Sequence, residues 1–191
     1  MTGRPQPAVF LDRDGTVVTD PHYLADPDRL ALIPGVGDAI RRLNAAGLTV
    51  VVVTNQSGIA RGLYGEDDYR AVAARLDEVL ESAGARVDAT YYCPHHPDQH
   101  GHCDCRKPGT GLYVRAAAAL GVDPAASYYV GDKLTDVIPA VSLAGQGILV
   151  RTGHGAAAEA NLPSGFWVAD DLPAAVELIL RDQRSSSITE R

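Results

Sequence analysis

Two aspartates one residue apart, followed by a glycine and a threonine, stand directly after an apolar run: Ala8-Val9-Phe10-Leu11-Asp12-Arg13-Asp14-Gly15-Thr16. Paired carboxylates at this spacing can attack an electrophile, move a proton, or hold a hard cation through oxygen. Gly15 lets the backbone turn away sharply behind them. Taken alone, the pair fits an Asx-rich turn after a buried strand equally well. The rest of the chain decides between the two readings. Thr54-Asn55, Lys107 and Gly131-Asp132-x-x-x-Asp136 add a hydroxyl, an ammonium and further carboxylates.

This set suits a phosphate monoester. Uncatalysed hydrolysis of such an ester is extremely slow, so catalysis needs a nucleophile, a general acid for the leaving alkoxide and strong charge neutralisation. Asp12 can attack phosphorus and form an aspartyl-phosphate. Asp14 can protonate the leaving oxygen and then deprotonate the water that resolves the intermediate, work typically worth about 10²–10⁴-fold. Two carboxylates facing a phosphate repel it, so a hard cation is required. Mg²⁺ fits, held by Asp12, Asp132 and the backbone carbonyl of Asp14, with waters completing the shell. Thr54 can donate to a phosphoryl oxygen, and Lys107 supplies a point charge to the same group. Asp136, one helical turn after Asp132, stands behind the metal ligands or orients Lys133.

The elements that must position these groups alternate. Val36, Ile40, Leu43 and Ala46 have helical spacing and stop at Gly47, after a polar, irregular stretch from Thr19 to Leu32. Leu48-Thr49-Val50-Val51-Val52-Val53 is a β-branched run, as in a parallel strand buried on both faces. Glu66 to Ala83 reads as an amphipathic helix, and a short strand near Asp88 to Tyr92 follows. Thr110 can cap a helix closing at Gly121. Ser127 to Val130 is a strand ending in Gly131-Asp132. A helix, a strand at Gly147 to Val150 and a last helix from about Leu172 to Leu180 complete the pattern. Alternating strands and helices predict a doubly wound, mainly parallel α/β sheet of Rossmann-like type. With no repeat and no linker, one domain over residues 1–183 is expected, with residues 184–191 a disordered tail. Strand ends at Asp12, Thr54 and Asp132 then meet at one sheet edge, where open α/β sheets bind ligands.

Composition narrows the classes. The net charge of −7 argues against a nucleic-acid or membrane-surface partner held by a basic field. No apolar run approaches the ~18 residues of a membrane span. The opening residues lack the apolar core of a signal peptide, so a cytoplasmic protein is expected. The 3 cysteines all lie between positions 93 and 105, which disfavours a disulfide framework.

Asp12-x-Asp14-Gly15-Thr16, Thr54-Asn55, Lys107 and Gly131-Asp132-x-x-x-Asp136 resemble the ordered motifs of the haloacid dehalogenase superfamily. Within it, Thr54 to Gly62, Cys93-Pro94-His95-His96-Pro97, Cys103-Asp104-Cys105-Arg106-Lys107-Pro108 and Gly131-Asp132-Lys133-Leu134-Thr135-Asp136 resemble the histidinol-phosphate/heptose-bisphosphate phosphatase branch, over roughly residues 8 to 153. The resemblance implies removal of the C7 phosphate of D-glycero-D-manno-heptose 1,7-bisphosphate, a small phosphorylated sugar. It implies Asp12 as nucleophile, Asp14 as proton donor, and Thr54 and Lys107 stabilising the transferring group. Substrate contacts would come from Asp20, His22, Tyr23, Asn55, Gln56, Ser57, Arg106 and Lys133, with Arg106 clamping the C1 phosphate bidentately. Pro21-His22 departs from the His-Gly of the family pattern. Neither the Thr19–Leu32 segment nor the cysteine loop is long enough for a cap domain, so an open site on a monomer is expected.

Cys93-x-His95 and Cys103-x-Cys105 offer 3 thiolates and an imidazole on one loop, residues 93–105, a donor set for tetrahedral structural zinc. His96, His100 and His102 compete for the fourth position; the family pattern uses His95. Bound zinc would hold Arg106 and Lys107, which follow the last ligand directly. The rival readings are a histidinol-phosphate phosphatase, a polynucleotide 3′-phosphatase and a non-catalytic zinc-stabilised binding protein. Histidinol's ammonium calls for an acid, whereas Arg106 and Lys133 beside Lys107 favour a bisphosphate. The acidic charge and lack of a basic, aromatic-lined groove oppose a polynucleotide. Asp12, Asp14, Lys107 and Asp132 together oppose a dead site. Arg61 and Tyr64 read as surface or packing residues, and His154 has no evident role.

Overall fold

The computed structural model describes residues 6–189, and side chains through residue 185. Strands β1 (Ala8–Leu11), β2 (Thr49–Asn55), β3 (Ala89–Cys93), β4 (Tyr128–Gly131), β5 (Gln146–Val150) and β6 (Trp167–Ala169) form one sheet in the order β3-β2-β1-β4-β5-β6. Every neighbouring pair is parallel. The strand order reverses direction between β1 and β4, and at such a switch point two connections leave in opposite senses and open a crevice. The Asp12 amide donates to the Val130 carbonyl (2.9 Å), carrying the β1–β4 pairing one step past the last strand residue. The sequence therefore delivers Asp12 and Asp132 side by side.

Strand alternation sorts the core into two layers. Val9, Leu11, Val50, Tyr128, Val130, Ile148 and Val150 pack against helices α1 (Val36–Ala45), α3 (Glu66–Ser82) and α9 (Leu172–Thr189). Ala8, Phe10, Val51, Val53 and Tyr129 pack against α5 (Gly111–Leu120) and α7 (Pro139–Leu143) on the other face. The run Val50 to Val53 is buried at every position because both layers use it. Short helices α2 (Ser57–Ala60), α4 (Pro97–His100), α6 (Leu134–Val137) and α8 (Gly155–Ala158) sit in the connections. Among the described residues no inserted domain interrupts the sheet, so the fold is capless. The polar stretch after β1 is pinned instead by a bridge between Val18 and Leu32 and a bond from Thr19 N to the Ala31 carbonyl (3.0 Å).

Three local expectations change. The last helix does not stop near Leu180 but runs to Thr189, so residues 184–189 are helical rather than a disordered tail, and residues 190–191 lie outside the described residues. Its extension is anchored to the sheet: the Tyr128 hydroxyl donates to Asp182 Oδ2 (2.6 Å) and Gln183 Nε2 donates to that hydroxyl (2.8 Å). Strand β6, only 3 residues long, gave no readable periodicity. Thr110 occupies the N-cap position of α5, but its side chain makes no capping bond, whereas Gly121 closes the helix with φ +66° as expected.

Candidate active site

At the switch point four charged groups are almost wholly buried: Asp12, Lys107, Asp132 and Asp136. Lys107 Nζ donates to Asp12 Oδ1 (2.7 Å) and to the Val53 carbonyl (2.7 Å), and lies 2.7 Å from Asp136 Oδ1. Burial alone would strip the ammonium of its proton, but Asp12 and Asp136 hold its pKa above the ordinary lysine value. Burial, reinforced by Asp136 and opposed by Lys107, raises Asp12 to about 6. Burial and then Asp12 raise Asp132 as well, while the bond from His154 N to Asp132 Oδ2 (2.8 Å) pulls it back. Gly15 (φ +88°) and Gly153 (φ +55°) make this approach possible, because a Cβ on either would fall 2.4 or 2.2 Å from Asp132 Oδ2.

Asp132 Oδ1 is buried and has no hydrogen-bond partner. A carboxylate oxygen left so costs several kcal/mol, of order 1–3 or more, unless something occupies it. Oxygen atoms of Asp12, Asp132 and Asp136 lie within 4.8 Å of one another, a hard donor set that fits Mg²⁺. Asp136 is the most committed of the three. It pairs with Lys107 and its Oδ2 accepts the Lys133 amide (2.9 Å), which caps α6.

Asp14 is held from behind. The buried Arg13 guanidinium forks onto it, Nε to Oδ1 at 3.0 Å and Nη2 to Oδ2 at 2.9 Å. Gln56 Nε2 donates to Asp14 Oδ2 (2.9 Å) and to Thr54 Oγ1 (2.8 Å), leaving the Thr54 hydrogen for another acceptor. Gln56 Oε1 accepts from Arg13 Nη2 (3.0 Å) and from the Tyr64 hydroxyl (2.6 Å). Gln56 thus lines the cleft while its amide holds these neighbours. Asn55 does likewise, its side chain exchanging bonds with the Lys107 backbone (3.0 and 3.2 Å) and pinning that residue across the chain. Tyr64, read as a packing residue, closes the Gln56 network.

A cleft of about 550 Å³ opens above, and Asp12, Asp14, Thr54, Ser57, Asp20, His22, Tyr23, Arg106, Lys107 and Lys133 all line it. Lys133 Nζ lies 3.7 Å and His154 Nε2 3.8 Å from Asp20 Oδ2. His22 and Tyr23 take left-handed backbone angles (φ 61° and 60°), a strained pair for non-glycine residues, fixed in part by His22 N donating to Asp20 Oδ1 (2.9 Å). His154 carries no sequence signal, because its approach to Asp132 depends on the turn after β5.

The second cluster lies beside this cleft. Cys93, His95, Cys103 and Cys105 bring their ligand atoms within 4.8 Å of one another. Cys105 Sγ is 3.0 Å from Cys93 Sγ and 3.4 Å from Cys103 Sγ, and His95 Nδ1 is 3.2 Å from Cys105 Sγ. With Cys93 Sγ also 3.7 Å from Cys103 Sγ, the four donors converge on one point, the arrangement of soft ligands around one small cation. Of the competing histidines, His96 is engaged elsewhere, with Arg61 (2.7 Å) and the Asp98 amide (3.3 Å). The loop is tied to the cleft through Arg106, whose Nη1 donates to the His95 carbonyl (3.1 Å).

A family model described as HAD-hydrolase-like matches residues 104–175. The D-glycero-beta-D-manno-heptose-1,7-bisphosphate 7-phosphatase of Yersinia pestis is 43% identical over 180 residues, 90% of this chain and 95% of its own length. That of Escherichia coli (strain K12) is 44% identical over 90% of this chain and 94% of its own. The chain belongs to this family. The solved structure of the D,D-heptose 1,7-bisphosphate phosphatase from B. bronchiseptica, complexed with magnesium and phosphate, superposes with a TM-score of 0.86 at 39% identity, over 93% of this chain and 99% of that one.

Proposed function

We propose that this protein removes the C7 phosphate of D-glycero-β-D-manno-heptose 1,7-bisphosphate, leaving heptose 1-phosphate, through an aspartyl-phosphate on Asp12. The observation that carries the reading is Asp132 Oδ1, a buried carboxylate oxygen without a partner, beside an Asp12 carboxylate braced by Lys107. Asp12, Asp132 and the Asp14 carbonyl would hold Mg²⁺, which when bound neutralises the carboxylates and the phosphoryl oxygens.

Asp12 engages Lys107 through Oδ1, so its Oδ2 is the oxygen to attack phosphorus. Lys107 and the Thr54 hydroxyl offset the charge on the equatorial oxygens. Asp14 gives a proton to the departing C7 oxygen and then takes one from the water that attacks the aspartyl-phosphate. Arg106 and Lys133 at the rim receive the C1 phosphate, and Ser57, His22 and Tyr23 line the path of the sugar. Zinc on Cys93, His95, Cys103 and Cys105 would order the loop that delivers Arg106 and Lys107. A single domain, a monomer and a cytoplasmic site of action belong to the same reading.

A histidinol-phosphate phosphatase would need an acid for the substrate ammonium. Asp20 is the acid at the rim, but Lys133 and His154 already flank it. The test is phosphate release with Mg²⁺ from both anomers of the 1,7-bisphosphate and from histidinol phosphate at matched concentrations. A kcat/KM advantage of about a hundredfold for the β-bisphosphate, some 2.7 kcal/mol, is expected. Equal turnover of histidinol phosphate would overturn the assignment.

A further inference from the structure

Arg13 is the residue between the two catalytic aspartates, and its buried side chain is part of the cleft wall. Its guanidinium is 2% exposed and its Nη1 has no partner, an expensive way to place a charge. Its hydrogen bonds converge on Asp14. The fork from Nε and Nη2 reaches both carboxylate oxygens, and Nη2 also binds Gln56 Oε1, whose amide returns to Asp14 Oδ2 and to Thr54 Oγ1. The Tyr64 hydroxyl closes this ring from the turn after α2, and the Tyr69 ring of α3 backs the guanidinium at 5.8 Å. The carboxylate's torsion is therefore fixed from two sides by rigid planar donors, and the same amide sets its place relative to Thr54. Among the described residues no cap closes over the cleft, and Asp14 takes its side-chain hydrogen bonds from this ring.

We infer that Arg13, with Gln56 and Tyr64 behind it, is a positioning clamp that aims the Asp14 carboxyl at the leaving-group oxygen of the substrate. The inference rests on the proposed role of Asp14 as proton donor. The planar fork is required, because an ammonium cannot hold both oxygens of a carboxylate in one plane. Misplacing a catalytic group by about 1 Å costs on the order of 100-fold.

The test compares two leaving groups: the sugar phosphate, whose alkoxide must be protonated, and p-nitrophenyl phosphate, whose phenolate departs without a proton. Asp14→Asn serves as the reference. In a single turnover it should slow phosphoryl transfer from the heptose bisphosphate by about 100-fold or more while affecting the first-turnover release of p-nitrophenolate far less, because the later hydrolysis of the aspartyl-phosphate is common to both substrates. Arg13→Lys and Arg13→Met should reproduce that selective loss in the first turnover, with KM for the bisphosphate held within about threefold. Tyr64→Phe, which deletes one hydroxyl and leaves the fold intact, should show the same selectivity at a few-fold. Equal losses on both substrates, or none, in Arg13→Lys and Tyr64→Phe would overturn the clamp. If Asp14→Asn itself shows no dependence on the leaving group, the proton-donor role fails instead.

Discussion

The carboxylate corner and the cysteine loop sit next to each other and are ordered by different physics. Around Asp12 the scaffold is parallel strands buried on both faces, and the charged groups are held by bonds to strand ends and to Lys107. Around Cys93 only the first ligand belongs to a strand, and residues 94–110 bury little beyond Lys107. Burial orders the first region without help; the second has four converging soft donors in its place. The two meet at Lys107, which belongs to the loop by sequence and to the corner by contact. Order in the loop is thereby coupled to the position of a buried ammonium in the corner.

Breaking the corner should have the largest effect. Asp12→Asn removes the nucleophile while keeping shape and burial, and turnover should fall by more than about 1,000-fold in a phosphate-release assay. Because the folded corner already buries like charges, that variant should melt no lower than the parent and should keep its zinc. A loss of zinc with Asp12→Asn would show that the two regions are not separable.

Breaking the loop should act more weakly and indirectly. Cys105→Ser, or removal of zinc with a chelator followed by return of Mg²⁺ alone, should lower kcat about 10–100-fold and lower the melting temperature. Unchanged kcat with zinc gone would detach the loop from Lys107.

The pH profile sharpens the comparison further. Asp12 must be ionised to attack, and its pKa is raised to about 6 by burial and by Asp136. Activity should therefore be intact above that value and fall about tenfold per pH unit below it. Added Mg²⁺ should shift this limb to lower pH, because the cation favours the ionised carboxylate. A limb that does not respond to Mg²⁺ would belong to another group.

His154→Ala should have the smallest effect. It removes an exposed imidazole beside Asp20 yet keeps the backbone donor to Asp132, so KM should rise only a few-fold with kcat unchanged.

Much of the corner was legible because strand patterning and strand-end residues are read in one dimension. Ala8–Leu11 and Ser127–Val130 each run straight into an acid, and parallel pairing then fixes which acids meet. The three cysteines were legible from clustering, whereas His95 was singled out from its neighbours only by the resemblance; the structure brings its Nδ1 to the sulfurs. What side chains do at the edge was less so. Asn55 and Gln56 have the composition of ligand-binding residues, but their amides are spent on the Lys107 backbone and on Asp14. Arg13 carried no signal, since a cation between two acids reads as a solvated side chain until its burial is known. Tyr64 and His154 reach the cleft through turns whose path no periodicity records, and the extension of α9 depends on Tyr128, more than 50 residues away.

The most direct measurement is acid-quenched mass spectrometry of the Asp14→Asn variant during turnover of p-nitrophenyl phosphate with Mg²⁺, a substrate whose leaving group needs no proton from Asp14. With the proton acceptor for the second step removed, a phosphoryl group should accumulate on the peptide carrying Asp12 and on no other. Substrate consumption with that peptide unmodified, or with the label elsewhere, would contradict covalent catalysis at the switch point.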